Sequence, residues 1–105
     1  MIQSIKNLLG IGPKVDYAEL IANGATILDV RTRGEYAGGH VKNSVNIPLD
    51  QLGGQLKRLK AKDQPVITCC ASGMRSASAK SFLKSQGYTK VYNGGSWMSL
   101  RRYEK

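Results

Sequence analysis

The sequence predicts an α/β domain built on a parallel sheet with helices on both faces. Short apolar runs of strand length alternate along the chain with segments of helical spacing. One run, Val66-Ile67-Thr68-Cys69, is apolar and β-branched, the pattern of a central strand covered on both faces. The glycines fall between the periodic segments and not in a linker, so the organisation is one continuous domain. A chain of 105 residues holds one core and is short for two.

At the start, Ile2, Ile5, Leu8 and Leu9 recur at helical spacing. This predicts a short helix or extension over residues 1–12, packed on the body, with contact to a partner or a membrane surface as the alternative. There is no continuous apolar stretch and no small-residue cleavage site, so a secretory signal is not expected. The domain proper is assigned to residues 13–105.

After Pro13, Asp16 to Gly24 reads as a short helix opened by Asp16 and stopped by Gly24. Thr26 to Val30 reads as a buried strand, and Arg33 to Ala37 as a helix ending at Gly38-Gly39. Val45 to Ile47 is a second short strand, which Pro48 stops. The spacing of Leu52, Leu56 and Leu59 predicts a helix from Asp50 to Lys60. Beyond the central strand, a helix from about Ser76 to Gln86 buries Ala79, Phe82 and Leu83 and ends at Gly87. Lys90 to Tyr92 is a further strand, and Ser96 to Leu100 a final helical turn or two.

Composition narrows the function classes. No apolar run approaches the length needed to span a bilayer, so stable membrane insertion is not expected. The formal charge of +9 is spread over lysines and arginines with no aromatic-interleaved stripe. It reads as a solvated basic surface that attracts small anions, not as a nucleic-acid site. Cys69 and Cys70 are neighbours, which suits neither a long-range disulfide nor a zinc quartet. No metal and no cofactor are expected, and a reducing, cytoplasmic location is.

Cys70 opens the segment Cys70-Ala71-Ser72-Gly73-Met74-Arg75-Ser76, between the central strand and the following helix. In parallel sheets ligands bind at the carboxyl ends of strands. A tight glycine-containing loop and a helix N-terminus both present N–H groups to an anion there, so a thiolate at Cys70 is stabilised. Arg75 is expected to lower the thiol pKa further and to hold an anionic substrate. Ser72 and Ser76 are expected to supply hydroxyl donors, and Gly73 a backbone conformation closed to other residues. Because side chains alternate along a strand, Cys69 and Cys70 face differently, with Cys69 the core residue.

Three stretches together resemble the rhodanese family, over nearly all of the chain from Asp16 onward. Ile27-Leu28-Asp29-Val30-Arg31, continuing through Glu35-Tyr36, Gly39-His40-Val41 and Asn46-Ile47-Pro48, is similar to its first signature. The segment from Cys70 to Ser76 resembles its active-site loop. Gly87-Tyr88, then Val91-Tyr92-Asn93-Gly94-Gly95 through to Trp97, resembles its closing segment.

The resemblance implies a rhodanese-like parallel sheet of about five strands with helices on both faces. It also implies a sulfurtransferase that moves sulfane sulfur from a small anionic donor, such as thiosulfate or polysulfide, to cyanide or a thiol, including a protein thiol. Carried over residue by residue, Cys70 bears the persulfide, and Ala71, Ser72, Gly73, Met74, Arg75 and Ser76 bind substrate. The family's pattern treats Asp29, Arg31, Glu35 and His40 as structural, through an ion pair and turn-fixing hydrogen bonds. Trp97 and Met98 read as core or pocket wall. Two departures stand out: Lys42-Asn43-Ser44 where Pro-Gly-Ala is frequent, and Asn93 where Glu is usual. Both are expected to lie away from the nucleophile.

Two other readings stay open. Counted from Cys69, the loop is a Cys-X5-Arg motif ending at Arg75, the spacing of a phosphatase or arsenate reductase. The chain could also be a non-catalytic sulfur carrier or binding module that holds sulfur or a partner on the same loop.

Overall fold

The computed structural model describes residues 15–104; the expected helix or extension over 1–12 lies outside them. The described chain runs α1 (Tyr17–Ala22), β1 (Thr26–Asp29), α2 (Arg33–Ala37), β2 (Val45–Asn46), two 3-10 segments (Leu49–Gly54 and Leu56–Arg58), β3 (Val66–Cys70), α3 (Met74–Ser85), β4 (Val91–Ser96), α4 (Trp97–Leu100) and a 3-10 turn (Arg101–Tyr103). Among the described residues the sheet has four strands in the order β2-β1-β3-β4, all parallel, close to the expected five or so.

Local sequence explains the ends of these elements. Asp16 accepts from the Glu19 N–H and opens α1. Thr32 and Glu35 form a reciprocal capping box on α2, which lets a helix of five residues hold its first turn. Gly73, at φ +101°, turns the chain from β3 into α3, which therefore starts two residues before the expected Ser76.

Side-chain alternation in the sheet divides the core in two. Leu28, Val66 and Cys70 face α3 and the 3-10 segments, packing with Ala79, Leu83 and Leu52. Ile27, Ile67 and Cys69 face the opposite side, where Leu20 and Ile21 of α1 and Trp97 and Leu100 of α4 cover them. Helices thus cover both faces, as a parallel sheet requires.

The segment read as a helix from Asp50 to Lys60 is instead two 3-10 pieces that break at Gln55. Its leucines still reach the core, so the apolar spacing was informative about burial. The adjacent Gly53 and Gly54 make a continuous α-helix entropically costly there.

Strand β4 extends beyond Tyr92 to Ser96 because it absorbs a bulge: Thr68 pairs with Asn93, whereas Cys70 pairs with Ser96. Gly94 sits at this irregularity with no room for a side chain. A Cβ there would lie 2.8 Å from Ile67 Cγ2, 2.9 Å from Leu100 Cδ1 and 3.1 Å from the Thr68 carbonyl oxygen.

At the end of β1 a charged pair is fully enclosed, with Asp29 0% and Arg31 4% exposed. Arg31 Nε donates to both Asp29 carboxylate oxygens at 2.9 and 3.0 Å, and Nη2 reaches Oδ2 at 2.7 Å. The remaining donors go to the Gly39 and Glu35 carbonyls at 2.7 and 3.3 Å, while the Trp97 ring lies 4.5 Å beneath the guanidinium.

Two stability measurements follow from these contacts. Gly94→Ala should lower unfolding stability by about 1–3 kcal/mol through overpacking, read from the urea midpoint. Arg31→Met leaves the buried Asp29 carboxylate uncompensated and should cost about 3–5 kcal/mol, with much of it recovered when Asp29 is replaced by Leu in the same chain.

Candidate active site

Cys70 is the last residue of β3 and is 1% exposed, so its sulfur lies at the floor of the loop. The Gly73 N–H points at Sγ from 2.9 Å and the Ser76 N–H from 3.4 Å. The thiol itself donates to Ser76 Oγ at 3.5 Å. Burial pushes this thiol upward, but hydrogen bonds from the Ser76 hydroxyl and from the Ser76, Gly73 and Ser72 N–H groups outweigh it. The net pKa lies below the ordinary thiol value.

Cys69 has the opposite balance. It is fully buried on the other face of the sheet, and burial, followed by the negative charge of Asp29, pushes its thiol up to about 12. A Cys-X5-Arg loop wrapped around Cys69 is therefore not what this backbone forms. The cradle is built around Cys70.

Two expectations about the loop change. Ser72 acts on Cys70 through its backbone N–H, not through its hydroxyl. Arg75 does not face the sulfur as a free cation: Nη1 and Nη2 meet Glu35 Oε1 and Oε2 at 2.6 and 2.9 Å, a two-pronged pair. Arg75 and the cap contacts of Thr32 hold the Glu35 carboxyl down to about 2, so the pair is intact at any ordinary pH. The guanidinium feels the Cys70 charge only behind that much closer partner. Hydrogen bonds, and not the Arg75 charge, hold the thiol down.

The other singled-out residues divide clearly. Asp29 and Arg31 form the buried pair described above, and Asn46 Nδ2 ties the Asp29 and Arg31 carbonyls together at 3.0 Å each. His40 is exposed; its Nδ1 lies 2.8 Å from the Tyr36 carbonyl oxygen, with the two rings stacked at 3.8 Å. It belongs to the turn and not to the loop. Trp97 is half-buried against Arg31, but Met98 is 64% exposed and is not a core residue. Ala71 and Ser72 are also exposed, and Met74 is 79% exposed.

Asn93 was expected to lie away from the nucleophile, and the structure places it directly behind the loop. Its Oδ1 accepts from Ser76 Oγ at 2.6 Å and from the Gly95 N–H at 2.9 Å. Its Nδ2 donates to the Gly73 carbonyl at 3.2 Å. Asn93 pairs with Thr68 in the regular part of β4, ahead of the bulge, and alternation from Val91 puts it on the sheet face that also carries Cys70.

A groove of about 380 Å³ opens beside the loop, lined by Val30, Thr32, Pro48, Leu49, Asp50 and Arg75. Another cavity of about 220 Å³ lies between α1 and Tyr103, and none of its lining residues belongs to the loop.

The sequence model of the Rhodanese-like domain family matches residues 14–98. An uncharacterised protein of Bacillus subtilis, YqhL, is 38% identical over 69 residues, covering 66% of this chain and 54% of that protein. A tRNA sulfurtransferase of Thermoplasma acidophilum is 33% identical over 85 residues, covering 81% of this chain but 17% of that protein. The chain thus spans about half the length of the first relative and a small part of the second. Among solved structures, a human single-domain sulfurtransferase superposes with a TM-score of 0.71 at 27% identity, covering 85% of this chain and 92% of that one. With the loop, the sheet order and these likenesses in agreement, the chain belongs to the rhodanese-like domain family.

Proposed function

We propose that this domain, taken as residues 13–105, is a sulfurtransferase that carries sulfane sulfur as a persulfide on Cys70. The observation that carries the reading is the set of main-chain N–H groups converging on Cys70 Sγ at the end of β3. Such a nest stabilises the thiolate relative to the thiol, so attack can draw on the thiolate without a separate general base.

The Cys70 thiolate attacks the outer sulfur of the donor and forms a new S–S bond. The donor's own S–S bond breaks, and its electron pair leaves with the remainder, which is sulfite from thiosulfate or a shortened chain from polysulfide. The loop N–H groups of Ser72, Gly73 and Ser76 then face the negative charge of the persulfide. An acceptor thiolate, or cyanide, attacks the terminal sulfur and returns Cys70 as thiolate. In this reading Ala71, Ser72, Gly73, Met74, Arg75 and Ser76 form the substrate-binding loop, chiefly through their backbone. A reducing cytoplasm would keep both thiols free for this chemistry.

The pairing of Arg75 with Glu35 favours one class of donor. With the loop's one cation engaged, a sulfonate-bearing donor gains little from it. The neighbouring groove is walled by Val30, Pro48 and Leu49, which suits an uncharged organic body. Organic persulfides and polysulfanes, which carry sulfane sulfur on an apolar body, therefore fit better than thiosulfate.

Mass spectrometry after incubation with polysulfide should show a gain of one sulfur in wild type and Cys69→Ser and none in Cys70→Ser; an adduct retained in Cys70→Ser would sink the assignment. A generic phosphate ester should not be hydrolysed, and robust Cys69-dependent hydrolysis would favour the phosphatase reading instead. A sulfur carrier without turnover would load Cys70 yet release little sulfur to cyanide or small thiols. In side-by-side loading rates, an organic persulfide should exceed thiosulfate by at least about tenfold, and Glu35→Gln, which frees Arg75, should narrow that gap.

A further inference from the structure

Ser76 Oγ is the side-chain oxygen within hydrogen-bond reach of Cys70 Sγ, and it carries a single proton. Three acceptors surround that proton: Asn93 Oδ1 at 2.6 Å, the Gly73 carbonyl at 3.0 Å and Cys70 Sγ at 3.5 Å. When Cys70 is a thiol, the S–H donates to Ser76 Oγ, so the Ser76 proton has to point elsewhere. The shortest contact gives it to Asn93. When Cys70 is a thiolate or carries a persulfide, sulfur becomes the charged acceptor and competes for the same proton.

The Asn93 amide is held so that it presents an acceptor to Ser76. The Gly95 N–H donates to Oδ1, and Nδ2 donates to the Gly73 carbonyl. Flipping the amide would set Nδ2 against the Gly95 N–H and Oδ1 against the Gly73 carbonyl, two unfavourable contacts. Gly95, at φ +76°, and the bulge beside it provide the N–H that fixes this orientation.

We infer that Asn93 is a positioning residue for Cys70, which acts through Ser76 by accepting its hydroxyl hydrogen bond in the thiol state and giving up that hydrogen bond to sulfur in the charged state. The inference rests on Cys70 as the sulfur carrier and assigns a role to a residue that does not touch the sulfur. Asn93 thereby tunes how readily Cys70 becomes charged. An amide, unlike a carboxylate, accepts this hydrogen bond weakly enough to release it.

The other charged or titratable groups near Cys70 are Arg75 with its partner Glu35, Asp29 with its partner Arg31, and the Cys69 thiol on the opposite face. All of them stay in place in the variants below.

The test is the pH dependence of Cys70 alkylation by iodoacetamide, mapped by peptide mass spectrometry in the full chain, with polysulfide loading measured on the same samples. Asn93→Asp keeps the size and holds the Ser76 proton as a charged acceptor, and it loses the Nδ2 donor to the Gly73 carbonyl, a loss that Asn93→Ala shares. Its alkylation midpoint should rise by about one pH unit, a roughly tenfold loss of thiolate at a fixed pH below it. Asn93→Ala removes the competing acceptor, so its midpoint should not rise.

Ser76→Ala should raise the midpoint, and Ser76→Thr should restore it. In the Ser76→Ala chain, adding Asn93→Asp should raise the midpoint by clearly less than it does alone. Equal midpoints for wild type and Asn93→Asp would overturn the inference. So would a rise in Asn93→Ala, which would make Asn93 a simple loop clamp, and so would full additivity in the double variant. Failure of wild type to take up sulfur would instead overturn the sulfurtransferase reading, since the alkylation comparison does not depend on loading.

Discussion

A guanidinium buried to 4% exposure is the constraint around which this small domain is arranged. Arg31 cannot be left with unpaired donors away from water, so every group around it is oriented to receive one. Asp29 takes the charge, the Gly39 and Glu35 carbonyls take further N–H groups, and the Trp97 ring closes the underside. Strand β1, helix α2, the turn after it and helix α4 thus converge on one side chain. Holding the Glu35 carbonyl also fixes the turn of α2 from which the Glu35 carboxylate reaches Arg75. The charge balance at the active loop therefore depends on a cation that never touches that loop.

Two adjacent cysteines show how far environment overrides residue type. Cys69 and Cys70 share the same intrinsic chemistry, yet one thiol is pushed up to about 12 and the other is drawn below its ordinary value. Burial acts upward on both. The difference is that Cys70 lies where the strand ends and main-chain N–H groups turn inward, whereas Cys69 faces a packed cluster beside the Asp29 carboxylate. In the low-dielectric interior a few well-aimed hydrogen bonds decide the sign. A shift of one residue along β3 would exchange the two environments, which is why the register against β1 and β4 matters chemically.

Much of this was legible in the sequence because the signals were local. The apolar run at Val66 to Cys69, the glycine at position 73 and the two-residue period of a strand were enough to set Cys70 at the loop and to bury Cys69 on the opposite face. The cap at Asp16 and the stop at Gly24 are equally local. What escaped depends on contacts between distant segments. Glu35 and Arg75 are 40 residues apart, and nothing in either segment announces their pairing. Asn93 shares the face of Val91 by plain alternation, but it meets the loop only because β4 pairs beside β3, a neighbour relation between segments that neither one announces. The leucines of 52–59 fit a helix by spacing alone, but burial can be met by 3-10 turns, and the glycine pair decided between them. Met98 sits on a helix of four residues, too short for periodicity to tell core from surface.

The division of labour within the loop has a consequence for how such a domain can be specialised. Sulfur is held by N–H groups of the main chain, which any residue except proline supplies. The side chains of Ala71, Ser72 and Met74 point outward and take no part in holding it. They are free to change without altering the pull on the thiolate, and so is the exposed Met98 on α4. Gly73 and Ser76 have no such freedom. One needs a positive φ at the turn, and the other contributes both its N–H and its hydroxyl to the sulfur environment. For the proposed sulfur transfer, selectivity for donor and acceptor would therefore reside in the exposed rim and in the groove beside Arg75, while the hydrogen bonding at Cys70 stays constant beneath them.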